Sequence, residues 1–154
     1  MMNSTIEQEL ALQEHSFFQT VGDSMEPLLH NRKSTVVLKK AEEPLKKYDV
    51  ALYRRPTGEY VLHRVVKVRK ETYLIQGDNR LGRETVPKEW IIGVMAGYYE
   101  GEENIYVSCN SKKYRNYLKT LKLRRWLQSG KKLPIQVMRR VQKLCRNVLG
   151  LFNR

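Results

Sequence analysis

At 154 residues the chain is long enough for one domain with a buried core and needs no covalent staple to fold. Its two cysteines, Cys109 and Cys145, lie far apart with no closely spaced Cys or His companions, which argues against a disulfide framework or a zinc site and for two reduced thiols. The net charge of +13 is unevenly placed: residues 1–103 hold 15 Lys/Arg against 16 Asp/Glu, whereas residues 104–154 hold 14 Lys/Arg and no acid. The basic character therefore belongs to the C-terminal third and suggests contact with something polyanionic there. No apolar run approaches the roughly 18 residues of a membrane-spanning helix. Glu7, Glu9 and Glu14 interrupt any signal-peptide core at the start, so the expected location is cytoplasmic.

In chain order, residues 3–14 read as a short helix, with Ser4 and Thr5 as candidate caps and Ile6, Leu10 and Ala11 on its apolar side. The texture changes at Phe17. Residues 34–39 and 49–54 are β-branched and apolar in the manner of strands, with Val50 and Leu52 on one face of the second. Pro56-Thr57-Gly58 marks a turn, and residues 59–68 resume as a long strand. Val61, His63 and Val65 share one of its faces; Leu62, Arg64 and Val66 share the other. A short strand over 72–76 ends in the turn Gly77-Asp78-Asn79. Residues 90–99 read as a buried strand in which Gly93 and Gly97 mark bends or a bulge. Many short strands without intervening helical periodicity predict a mainly β domain, an antiparallel barrel or sandwich over 17–108.

After Asn110 the pattern turns helical, with Tyr114, Tyr117, Leu118 and Leu121 at three-to-four spacing. Gly130 and Pro134 break it. From 135 to 152, Met138, Val141, Cys145, Val148 and Phe152 line one side of a helix, while Arg139, Arg140, Lys143 and Arg146 cluster opposite. The expected organisation is a catalytic domain over 1–108 followed by a basic helical tail over 109–154.

Three side chains stand out chemically. Ser24 lies in the glycine-led turn Gly22-Asp23-Ser24-Met25-Glu26-Pro27, where a hydroxyl sits at the surface and neighbouring N–H groups are free to face an oxyanion. A solvated loop serine is the plainer reading. His63 carries an imidazole suited to accept a hydroxyl proton near neutral pH, although a strand histidine is commonly just a core residue. Asp78 is either ordinary turn chemistry or the carboxylate that orients that imidazole. His15 and His30 lie in polar surroundings and receive no role.

Taken together, Gly22 to Pro27, Tyr48 to Tyr53, Leu62 to Val66 and Gly77 to Asn79 resemble, in order, four sequence boxes of type I signal peptidases and the related LexA-like self-cleaving regulators. The likeness covers residues 18–95. It implies a signal peptidase/LexA-like antiparallel, barrel-like β fold and a serine endopeptidase that needs no metal or cofactor. Histidine at 63 resembles the branch whose base is histidine rather than lysine. The resemblance then makes Ser24 the nucleophile, His63 the base and Asp78 its supporting acid, with Gly22, Asp23 and Met25 shaping the oxyanion and substrate-positioning loop. It implies small residues flanking the cut. The chain departs from the pattern in Pro27-Leu28-Leu29, where the family ends its serine box Pro-Thr-Leu. A second acid often follows the Gly-Asp-Asn box, and Glu84 is the one nearby.

The expected partner is a precursor or leader peptide. For the tail, attachment to an anionic membrane surface through Arg139, Arg140, Lys143 and Arg146 is the preferred reading, ahead of nucleic acid, because an apolar arc faces a cationic one. That attachment would make the chain peripheral at the inner face of the membrane. A merely solvated basic helix is the plain counterpart. A self-cleaving regulator and a non-catalytic binding module are the alternative functions; only 23 residues precede Ser24, too few for a helix-turn-helix domain.

Overall fold

The computed structural model describes residues 5–41, 44–101 and 103–128. The chain forms two compact units, residues 1–118 and 119–154. Lys112 to Leu118 belong with the first of these units. The helix expected over 135–152, with Arg139, Arg140, Lys143 and Arg146, lies outside the described residues, as does Ser4.

Helix α1 spans Ile6–Leu12, shorter than the expected 3–14. Thr5 caps it: its hydroxyl accepts from Gln8 N, and the Gln8 side chain accepts from Thr5 N, which satisfies two otherwise orphaned donors. Gln13 is extended and ends the helix.

Among the described residues eight strands follow: β1 (Ser16–Gln19), β2 (Thr35–Lys40), β3 (Val50–Arg54), β4 (Tyr60–Val68), β5 (Thr72–Gln76), β6 (Glu84–Pro87), β7 (Ile91–Glu100) and β8 (Ile105–Ser108). All pairings are antiparallel, in the order β1-β2-β7-β3-β4-β5-β6, with β8 added to β7. The mainly β, antiparallel expectation holds. The barrel does not: β1 and β6 are not paired to each other, and the sheet is open.

Alternation along β3 divides the core. Val50 and Leu52 join a cluster with Leu10, Leu29, Val36, Leu38 and Tyr98, whereas Ala51 and Tyr53 join one with Leu45, Val65, Tyr73, Ile75 and Val86. β3 lies between β4 and β7 and is buried on both sides, which explains its unbroken apolar run. Each glycine of β7 lies beside a register shift. The β2 pairing jumps from Gly97 to Met95, and the β3 pairing jumps from Gly93 to Ile91. Such bulges bend a strand and increase its twist, here at the two places where β7 passes β2 and β3.

Helix α2 spans Lys112–Gln128, and Tyr114 and Tyr117 lie in the part that belongs to the first unit. No helix among the described residues is long and apolar enough to cross a membrane.

The two glycines differ in what surrounds them. A Cβ at Gly93 would meet Leu10 Cδ1 at 3.1 Å and the Lys39 carbonyl at 3.2 Å, while the atoms nearest to one at Gly97 belong to the Tyr106 side chain. Gly93→Val is therefore expected to destabilise by about 1–3 kcal/mol through overpacking against backbone. Gly97→Ala should cost less, because Tyr106 is a half-exposed ring that can swing away. Urea unfolding midpoints check this ordering, which the reverse result would refute.

Candidate active site

The loop between β1 and β2 carries Ser24 and is fixed at both ends. Gly22 has φ +94°, a conformation that side-chain-bearing residues rarely adopt, and its N–H donates to Asn31 Oδ1 at 2.9 Å. Met25 is buried in the core, and its carbonyl accepts from Leu28 N and Leu29 N, so the chain turns immediately after the serine. Behind it lies the turn after β5. Asn79 N donates to the Ser24 carbonyl at 2.8 Å, and a Cβ at Gly77 would sit 2.7 Å from that same oxygen. Position 77 requires glycine because the two loops touch there. Among the described residues, the N–H groups of Ser24 and Met25 have no acceptor.

His63 sits in mid-β4, opposite Ala51 of β3. Burial holds its imidazole below the ordinary histidine value. Glu84 opposes that shift most strongly among the charges, Arg55 and Arg80 reinforce it, and Asp78 opposes it least. Its neighbour Arg64 projects to the other face of β4 and is fully buried.

Asp78 belongs to that arginine. Arg64 Nε donates to Asp78 Oδ1 at 2.8 Å and Arg64 Nη2 to Oδ2 at 2.6 Å, a two-pronged pair with both side chains inaccessible to water. Tyr117 Oη donates to the same Oδ2 at 2.8 Å, and Arg64 Nη1 donates to Tyr114 Oη and to the Tyr48 carbonyl. Among the described residues no hydrogen bond joins His63 to Asp78 or to Ser24. A buried guanidinium demands a counter-ion, and Asp78 supplies it.

The carboxylate on the His63 side is Glu84, at the start of β6. Arg55 Nε and Nη2 donate to its two oxygens at 3.1 and 2.7 Å, and Tyr53 Oη donates to Oε2 at 2.7 Å. The Arg55 bonds hold Glu84 below the usual carboxylate range, so it is ionised at neutral pH. Tyr53 also lies edge-on to the imidazole, with ring centres 6.4 Å apart. The resemblance offered Glu84 only as the acid near the Gly77-Asp78-Asn79 turn. Its connection to His63 runs through β3 and could not be read locally.

Ser24 and His63 both line one cleft of about 450 Å³. Its rim carries Asp23, Arg80 and Arg55; its floor is apolar. Asp23 and Arg80 form an exposed ion pair, and the Arg80 hydrogen bond lowers the Asp23 pKa. Met25 contributes to the floor, and Gly22 lines the edge. The structure therefore gathers Ser24, His63, Gly22, Asp23 and Met25 around one cavity and sets Asp78 behind it.

Neither a scan against protein-family models nor a search of the curated proteins returned a match. Among the described residues, no three His, Cys, Asp or Glu side chains are grouped to hold a metal ion.

The two carboxylates separate in a stability measurement. Asp78→Asn leaves Arg64 buried and uncompensated, with an expected loss of about 3–5 kcal/mol. Glu84→Gln, at a partly exposed network, should cost under about 1 kcal/mol. Guanidinium titrations of both variants decide this, and a wild-type midpoint for Asp78→Asn would release Asp78 from its structural assignment.

Proposed function

We propose that the chain is a serine endopeptidase of signal peptidase/LexA-like fold that cuts a precursor or leader peptide. The observation that carries this reading is the shared cleft of Ser24 and His63, with acceptor-free N–H groups at Ser24 and Met25. The sequence boxes that resemble the family supply the serine loop, β3, β4 and the turn behind the serine, all within the first compact unit.

In the proposed mechanism the substrate lies extended in the cleft. Neutral His63 takes the Ser24 proton as Oγ bonds to the scissile carbonyl carbon. The carbonyl π electrons move to oxygen, and the oxyanion is held by the free N–H groups of the serine loop. Collapse breaks the C–N bond, and the imidazolium gives its proton to the departing amine. Water, deprotonated by His63, then hydrolyses the acyl-serine and restores both groups. Glu84 stabilises the imidazolium through its negative field. Asp78 acts one layer back, holding the turn that supports Ser24. Two carboxylates in different environments thus take different tasks.

The first check is cleavage of a peptide library read by mass spectrometry. Ser24→Ala and His63→Ala should each lose about 10⁶-fold in rate, as removal of a nucleophile or its base does. Undiminished cutting by either variant ends the proposal.

The second check is pH dependence. The active form of His63 is neutral and burial lowers its pKa, so the acid limb of kcat/KM should have its midpoint below about 6.5. Glu84→Gln removes the charge that favours the imidazolium. The acid limb then moves to still lower pH, while the plateau rate falls at least about tenfold. A limb that shifts in Asp78→Asn and stays fixed in Glu84→Gln would exchange the roles of the two acids.

A further inference from the structure

The cleft extends well beyond the serine and the histidine. Its floor is the sheet itself, with Phe18 of β1, Leu38 of β2, Leu52 of β3 and Leu62 of β4, and one wall is Ile6 of α1. That wall is anchored. Leu10, one turn after Ile6 on the same helical face, is buried against Gly93, and Glu7 accepts a 2.5 Å hydrogen bond from Tyr60 and a 3.5 Å bond from Arg54. The helix is therefore clasped to the strand that carries His63. Ile6 itself is only half-buried, and its unburied side faces the cavity.

A volume of about 450 Å³ falls within the range of pockets that enclose sizeable ligand groups, about 300–1,000 Å³. The methyl group of an alanine would leave most of those walls without partner atoms, forfeiting dispersion contacts on every side. A leucine, methionine or phenylalanine side chain, together with a stretch of extended backbone, matches both the space and the apolar lining.

We propose that this cleft selects a peptide with one bulky apolar side chain near the cut, and that Ile6 sets the size of that side chain. The proposal rests on the peptidase reading for the word "cut" and departs from the small flanking residues that the sequence resemblance implies.

The experiment has two arms. In the first, the immobilised Ser24→Ala chain is exposed to a randomised ten-residue peptide library, and retained peptides are sequenced by mass spectrometry. In the second, the unmodified chain is incubated with the same library and cut sites are read. At one position, Leu, Met or Phe should be enriched at least about tenfold over Ala, the discrimination that a few buried methylenes confer. Adding Ile6→Trp should reverse the preference toward Ala, Ser and Gly. Adding Ile6→Ala should shift it toward Phe and Trp. Thermal melts identify a variant that fails to fold, and if Ile6→Trp does so, Ile6→Ala decides. Enrichment of Ala by the unmodified walls, unchanged selectivity in the folded Ile6 variants, or no retained peptide overturns the pocket. Cutting with a preference for Ala would leave the peptidase standing without this pocket. Retention that follows Ile6 with no cutting would leave the pocket and remove the peptidase.

Discussion

The buried ion pair of Arg64 and Asp78 ties the two halves of the site together. Taking both charges out of water is costly, and the cost is met only by close geometry and by satisfying the remaining donors. Here Arg64 donates to Asp78, to the Tyr48 carbonyl and to Tyr114, and the rings of Tyr114 and Tyr117 lie 5.7 and 5.8 Å from the guanidinium. Tyr48 adopts φ +81°, a conformation unfavourable for an aromatic residue, while its carbonyl takes the arginine and its N–H donates to Val65. Such strain persists only where the surroundings over-determine it. The pair is best understood as specifying geometry, since replacing a buried ion pair by hydrophobic residues of equal volume is often neutral or stabilising.

What it specifies is the relation between a strand and a loop. Arg64 follows His63 in sequence, so fixing one face of β4 fixes the other. Asp78 lies between Gly77, packed against Ser24, and Asn79, which donates to the Ser24 carbonyl. Ser24 and His63 are thus tied to opposite ends of one inaccessible salt bridge, Ser24 through the turn that carries Asp78 and His63 through its neighbour Arg64. This arrangement also separates stability from chemistry. A carboxylate already committed to a buried guanidinium is poorly placed to follow the protonation of an imidazole, whereas Glu84, held by Tyr53 and Arg55 at the protein surface, responds directly through its field.

The sequence reading located the strands well because the relevant signals are local. Alternation in β4, the turns at Pro56 and Gly77, and the glycines of β7 each express a short-range rule, and both glycines do flank bulges. Closure of the sheet was not legible, since it depends on whether two strands distant in sequence pair. The pairing of Asp78 with Arg64 was hidden for the same reason. Nothing adjacent to Arg64 announces that it is buried, and the Gly77-Asp78-Asn79 turn shows no sign of a guanidinium partner. The tyrosines of α2 were read as a helical stripe, which they are, but their hydroxyls serve a polar cluster contributed by β4 and the turn after β5.

Under the proposed peptidase reading, the placement of α1 bears on how selectivity and catalysis are divided. Serine, histidine and both acids are positioned by the sheet and its tight turns, elements stabilised by two apolar clusters. Ile6 stands on a seven-residue helix held by a capping box, one buried leucine and a clasp to Tyr60 and Arg54. A helix that short has little stability of its own and depends on those few contacts. Its side chains can therefore be exchanged with small consequences for the sheet, whereas a change at Arg64 of β4 removes the donors to Asp78, Tyr114 and the Tyr48 carbonyl. Under the proposed peptidase reading, variation in substrate choice is thereby confined to a layer separate from the strand and loop that carry His63 and Ser24.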